Sequence, residues 1–317
     1  MIVILYYKSI LPILLFLFPL GSLRLNGIGI FERLCYLSTM TVLLFSFLVL
    51  IVSYFAGILG ALSGLGGGII VIPALVLLFH VDMHLAMGAS LISVMATSSG
   101  AAYGFLKEKF TNLRVGILLE TGAVVGALTG ALLVSFFPRS LIAIILGIVL
   151  LVSAYYSLRH KETTELDKPS HPWAVALKLE GSYQSLKGPT SYHVQHVPLG
   201  IALITLAGIL SGLLGIGAGA LKVLAMDQAM KIPYKVSTAT SNFIIGITAA
   251  VSAGVYFAKG YIDPIITFPV FIGVLFGSYT GAKILTRTTT KTLRVIFSFV
   301  IIAIAFELIY KGMKGNL

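Results

Sequence analysis

The stretch Gly57-Ile-Leu-Gly-Ala-Leu-Ser-Gly-Leu-Gly-Gly-Gly-Ile-Ile-Val-Ile-Pro73 gathers Gly64, Gly66, Gly67 and Gly68 in the middle of an otherwise apolar run. From Ser46 to Phe79 that run is 34 residues, which as one helix would be about 51 Å long against a hydrocarbon core of about 30 Å. It must break or tilt steeply, and the glycines are where it would break. If it folds back there, it becomes two short arms. A second stretch, Gly208-Ile-Leu-Ser-Gly-Leu-Leu-Gly-Ile-Gly-Ala-Gly219, carries the same spacing 151 positions later.

Slid by 151 positions without a gap, the chain aligns Ala56–Leu59 with Ala207–Leu210, and Gly64, Gly66 and Gly68 with Gly215, Gly217 and Gly219. The same offset pairs Ser90 with Ser241, Thr97 with Thr248, Gly122, Gly126 and Gly130 with Gly273, Gly277 and Gly281, and Ala131 with Ala282. Identities at such defined glycine spacing indicate a duplication, with halves at 45–158 and 198–312.

Composition agrees with burial in lipid. Of 317 residues, 58% are hydrophobic and 10% charged, against about 25% charged in soluble domains. That excludes a disordered chain and most water-soluble enzymes, and the single cysteine, Cys35, excludes an internal disulfide framework. The net charge of +11 does not mark a nucleic-acid surface, because Lys and Arg punctuate apolar runs instead of forming a patch with aromatics. At about 20 residues per crossing, the chain allows about eight to ten membrane segments. The fold expected is an all-α polytopic membrane protein, multi-pass in the cell membrane.

Residues 1–44 form a tail or an extra hydrophobic segment. Residues 9–20 look like a signal h-region or a short helix, but no small-x-small cleavage site follows, and Arg24 and Arg33 interrupt the next stretch. Residues 159–197 are polar and join the halves, on the cytoplasmic side by their basic content.

Loop charge bears on orientation. Loop 80–84 has no Lys or Arg while 231–235 has Lys231 and Lys235; 107–114 has Lys107, Lys109 and Arg114 while 258–265 has Lys259. Loop 137–140 carries Arg139 against Lys283, Arg287, Lys291 and Arg294 across 283–294. Equivalent loops with opposite bias are what inverted repeats require, whereas parallel repeats would make them alike.

Four features bear on chemistry. Unwound glycine turns would expose backbone N–H groups to an anion, and a matched pair in two hydrophobic repeats points to a midplane site; the alternative is tight helix packing alone. Hydroxyls follow each break: Ser90, Ser93, Thr97, Ser98 and Ser99, then Ser237, Thr238, Thr240, Ser241, Asn242 and Thr248. These could solvate an oxyanion or bond back to their own helix. The stripes Gly122/Gly126/Gly130 and Gly273/Gly277/Gly281 read as scaffold for close helix packing. Glu120, Lys222 and Asp227 break the repeat, standing where the other half has Phe271, Val71 and Val76. Ionisable groups at that depth are functional by default, Lys222 as an anion attractor and Glu120 as a proton carrier; alternatively Lys222 pairs with Glu120 or Asp227, or snorkels to the surface. His80, Asp82 and His84 have metal-like spacing but sit in a short turn with no further ligand, so no metal or cofactor is expected.

The quoted glycine strings, with His84-Leu-Ala-Met-Gly-Ala-Ser-Leu91 and Ser237-Thr-Ala-Thr-Ser-Asn242, resemble the sulfite exporter TauE/SafE family, the TSUP permeases, over about 45–310. The resemblance implies a plasma-membrane transporter of small anions, typically sulfite, sulfoacetate or other sulfonates. The second half departs from the first, with Ala218 and Leu224 in place of Gly67 and Pro73. The expectation is a permease working by alternating access, its substrate site at Gly64, Gly66, Gly67, Gly68, Ser90, Thr97, Gly215, Gly217, Gly219, Ser241, Asn242 and Thr248, with proton or cation coupling through Glu120, Lys222 or Asp227. An anion channel and a membrane-embedded enzyme are the alternatives; the latter should show a His, Asp or Cys constellation within the spans.

Overall fold

The computed structural model describes residues 27–63, 66–107, 111–159, 170–185, 188–217, 219–287 and 290–315. The segment 9–20 and Gly64 therefore lie outside the described residues. The chain falls into two compact units, Met1–Phe45 and Ser46–Leu317. In the first, a helix opens at Gly27 and is not interrupted at Arg33. The second holds both halves and the connector.

Helix α1 (Gly27–Ser63) ends where the glycines begin. Its apolar part, Val42–Leu62, has 21 residues, about 31 Å, enough to cross a bilayer. The chain resumes at Gly68 as a short helix α2 (Gly68–Pro73) running into a π-turn at Ala74–Leu78. The break is thus where the glycines predict, but it separates one full-length span from one short apolar helix, Gly68–Leu78, not two short arms. The π-turn does not depend on Pro73. The second half has Leu224 at that place and makes the same turn: α8 (Gly219–Leu224) runs into a π-turn at Ala225–Ala229.

The remaining elements of the first half are α3 (Met83–Lys107), α4 (Leu113–Leu133) and α5 (Arg139–Arg159). Those of the second are α7 (Val197–Leu214), α9 (Tyr234–Ala258), α10 (Pro264–Arg287) and α11 (Thr290–Lys314). Each of α2, α3, α4 and α5 starts 151 residues before α8, α9, α10 and α11. The offset extends to backbone detail. His80 and Lys231 both have positive φ, at 51° and 57°, and Val81 N–H donates to Leu75 O as Ile232 N–H donates to Met226 O, each at 3.0 Å.

The described residues include five helices long and apolar enough to cross a membrane, so this is a polytopic membrane protein. The glycine stripes let helices of opposite halves meet backbone to backbone. Where a Cβ on Gly126 or Gly130 would stand, α7 places the main chain of Thr205 and Ile209; for Gly277 and Gly281 it is the main chain of Tyr54 and Ile58 in α1. These contacts interchange under the 151 offset, as a two-fold relation between halves demands. Gly147 of α5 meets the carbonyl of Ala305 and the side chain of Ile309 in α11, and α3 and α9 lie together, with Ser98 Oγ donating to Phe243 O at 3.2 Å.

The connector is more ordered than its polarity suggests, and it is not all-α. A short helix α6 (Pro172–Ala176) precedes an antiparallel hairpin of β1 (Gly181–Ser185) and β2 (Gly188–Tyr192), paired Gly181 to Tyr192. Ala174, Leu179, Tyr192 and Val194 are buried with Val115, Leu119, Met226 and Met230, so the connector docks on the ends of the helices. Asn112 organises this junction. It caps α4 by accepting from Val115 N–H (3.1 Å), its Nδ2 donates to Leu179 O (2.8 Å) and Tyr192 Oη (2.7 Å), and its own N–H donates to Thr240 Oγ1 (3.0 Å).

Candidate functional site

The two glycine breaks meet. Gly66 and Gly217 adopt φ of 79° and 71°, a left-handed conformation that costs other residues about 1–2 kcal/mol. Each packs against the same two side chains, Val94 of α3 and Ile245 of α9, which are themselves 151 residues apart. Gly215, with φ of 68°, packs on Met87. Gly68 lies against Ser90, Val94 and the carbonyl of Ile216, so the start of α2 touches the other half's break.

Polar groups line this meeting point from α3 and α9. Thr97 Oγ1 accepts the N–H of Gly67 at 3.0 Å and donates to Ser93 O at 2.9 Å. Ser90 is fully buried beside Gly68, and its hydroxyl makes no hydrogen bond among the described residues. Its counterpart Ser241 donates to Gly219 O at 3.3 Å. Asn242 reaches across to α1, Nδ2 donating to Ala61 O at 3.3 Å, while its buried Oδ1 has no hydrogen bond among the described residues. An unmade hydrogen bond on a buried group costs about 1–3 kcal/mol, so Ser90 and Asn242 are poised to receive one. Ser93, Ser99 and Ser237 are spent locally, donating to Ser90 O, Met95 O and Ile232 O, whereas the buried hydroxyl of Thr238 makes no hydrogen bond among the described residues.

Thr248 occupies in the second half the place of Thr97, but its surroundings differ. Its hydroxyl donates to Glu120 Oε1 and receives Lys222 Nζ, while Lys222 Nζ also donates to Glu120 Oε2 at 2.9 Å. Lys222 is completely buried, and Glu120 nearly so. The expected alternative of mutual pairing is therefore what the fold adopts for Lys222 and Glu120. Asp227 is buried in the π-turn and accepts from Gln228 Nε2 at 2.9 Å, outside this group. Asp82 of the metal-like turn accepts the N–H of His84 at 2.9 Å and pairs with Arg139 at 2.5 Å.

Of the residues singled out by sequence, Gly66, Gly67, Gly68, Ser90, Thr97, Gly217 and Gly219 thus lie in or against the paired breaks, and Glu120, Lys222 and Thr248 form one buried group. Nothing in the composition of α3 and α9 marks Val94 and Ile245, ordinary apolar residues. Their shared offset of 151 is the signal that could have found them.

The profile described as sulfite exporter TauE/SafE matches residues 49–308. The chain belongs to this family. Among curated proteins it is similar to the probable membrane transporter protein YunE of Bacillus subtilis (strain 168), at 29% identity over 84% of this chain and 99% of the relative. It is also similar to the probable membrane transporter protein YdhB of the same organism, at 30% identity over 74% and 89%. A third relative is the probable membrane transporter protein MJ0441 of Methanocaldococcus jannaschii, at 27% identity over 80% and 91%. No solved structure matches significantly. The TauE/SafE member thus keeps company with proteins named as transporters, not enzymes.

Proposed function

We propose that this protein carries small sulfur-containing oxyanions, sulfite or organosulfonates such as sulfoacetate, across the cell membrane by alternating access. The halves 45–158 and 198–312 act as inverted repeats, with the connector on the cytoplasmic side. The substrate sits at the paired breaks, among Gly64, Gly66, Gly67, Gly68, Ser90 and Thr97 of one half and Gly215, Gly217, Gly219, Ser241, Asn242 and Thr248 of the other.

One observation carries the reading. Two glycine breaks from opposite halves converge on Val94 and Ile245, with the unpartnered hydroxyl of Ser90 directed at the start of α2. Irregular backbone at membrane depth is tolerated where it is buried in protein or lines a path, and hydroxyls and backbone N–H groups solvate an oxyanion as donors. The TauE/SafE description of the family supports the sulfur oxyanion class.

The test is counterflow of sulfite, thiosulfate, sulfoacetate and taurine in proteoliposomes. Wild type should exchange at least one sulfur oxyanion with saturable kinetics, and Gly66→Leu and Gly217→Leu should abolish exchange while still eluting as folded protein. Normal flux in both variants would overturn the site, and flux that never saturates would indicate a channel.

A further inference from the structure

Each half of the fold has a threonine one helix over from its break, and the two are used differently. Thr97 holds a backbone N–H of the first break, whereas Thr248 is drawn into a buried ion pair between Glu120 of α4 and Lys222 of α8. Burying such a pair gains little or no stability over apolar residues of like volume. This chain contains its own control, because the equivalent places in the other half are Phe271 and Val71, in the equivalent helices α10 and α2. The architecture does not need the charges.

Lys222 lies one turn from Gly219, where α8 leaves the second break, so its ammonium is carried by the helix of that break while Glu120 belongs to the opposite half. The groups facing Glu120 are few in kind. From α8 comes Lys222 and from α9 Thr248, both hydrogen-bonded to its carboxylate; one turn earlier on α4, Gly116 lies against Thr240 and Ile244 of α9. Lys222 is the charged member of this set, and Asp227, on the π-turn after α8, is engaged by Gln228.

We infer that Glu120 is a resident counter-anion for Lys222 which the transported oxyanion displaces, and that Glu120 takes up a proton as it yields, coupling one proton to each negative charge carried on Lys222. This rests on the anion-transporter reading above. The balance is simple. In the resting state the Glu120 carboxylate faces the Lys222 ammonium. When the oxyanion arrives, its oxygens replace those of the carboxylate on Nζ, a proton from the same side converts Glu120 to the neutral acid, and the buried site keeps one negative charge for its one positive charge. Release on the far side returns the proton and restores the pair. Leaving either charge alone at this depth would carry the full cost of an uncompensated buried ion, and that cost is what ties proton to anion.

The test uses the full chain in proteoliposomes with a trapped pH-sensitive dye and the membrane potential clamped. Methanesulfonate and ethanesulfonate serve as probes, because each carries a single negative charge that stays ionised through the neutral range. Wild type should acidify the lumen as probe enters. Glu120→Gln should still exchange probe for probe but lose both proton movement and proton-driven accumulation, and Lys222→Met should lose exchange. Proton movement persisting in Glu120→Gln, or wild-type probe entry without protons, would overturn the coupling. If Glu120→Gln does not fold, Glu120→Asp decides: a shifted pH profile of accumulation supports the inference and an unchanged profile overturns it. A wild type that carries no anion at all overturns the transporter reading itself, and this inference with it, and is recognised by silence in the exchange assay.

Discussion

Thr97 illustrates how one side chain can hold an unwound segment in place. Its hydroxyl satisfies the N–H of Gly67, which has left one helix and not yet entered the next, and it returns its own proton to Ser93 O. Removing the acceptor strands a buried N–H, a loss of about 1–3 kcal/mol. Thr97→Val should therefore lower thermal stability in detergent, while Thr97→Ser should stay near wild type; equal stability of Val and Ser variants would show that the bond contributes nothing. Gly66 and Gly217 were legible in sequence because a left-handed φ favours glycine. The partner of Lys222 was legible only as a choice between Glu120 and Asp227. Sequence separates Glu120 from Lys222 by 102 residues, and spacing within a helix says nothing of which neighbour it will face.

Among the elements, the junction before α3 shows how helix starts are pinned at the membrane edge. Asp82 caps α3 through the N–H of His84 and ties it to the start of α5 through Arg139. Its carboxyl is held below the ordinary value of 3.8, chiefly by hydrogen bonding with His84 and further by Arg139, against burial that pushes it up. A carboxylate whose folded pKa is depressed contributes stability in full above its unfolded pKa and loses it as pH falls through the folded value. Asp82→Ala should cost about 1 kcal/mol near neutrality, typical of a lost cap, and the difference from wild type should shrink below about pH 3.8. A gap that persists under acid would sink the assignment to ionised Asp82. Helix existence followed from apolar runs of sufficient length, and the break from its glycines. The hairpin and the docking of the connector did not follow, because polar residues hid the alternate burial of Ala174, Leu179, Tyr192 and Val194.

For the whole molecule, the open question of orientation has a direct readout. Phe136 and Arg287 are equivalent under the 151 offset, and Phe136 is 81% exposed. In a Cys35→Ser background, single cysteines at Phe136→Cys and Arg287→Cys should react with a membrane-impermeant maleimide from opposite sides of oriented vesicles, since inverted repeats place equivalent loops on opposite faces. Labelling from the same side would establish parallel repeats and remove the structural basis for alternating access by symmetry exchange. Sequence by itself determined that the chain lives in lipid, that it is duplicated at one offset, and where its helices break. Apolar period, glycine conformation and charge density are local properties carried by neighbouring residues. Only the tertiary structure decided that the two breaks share Val94 and Ile245, that α1 and α7 cross over to pack on the opposite half, and that Lys222 is neutralised by Glu120. Those facts depend on which helix faces which, a choice made by long-range packing of small residues and by the cost of leaving a buried charge unpaired.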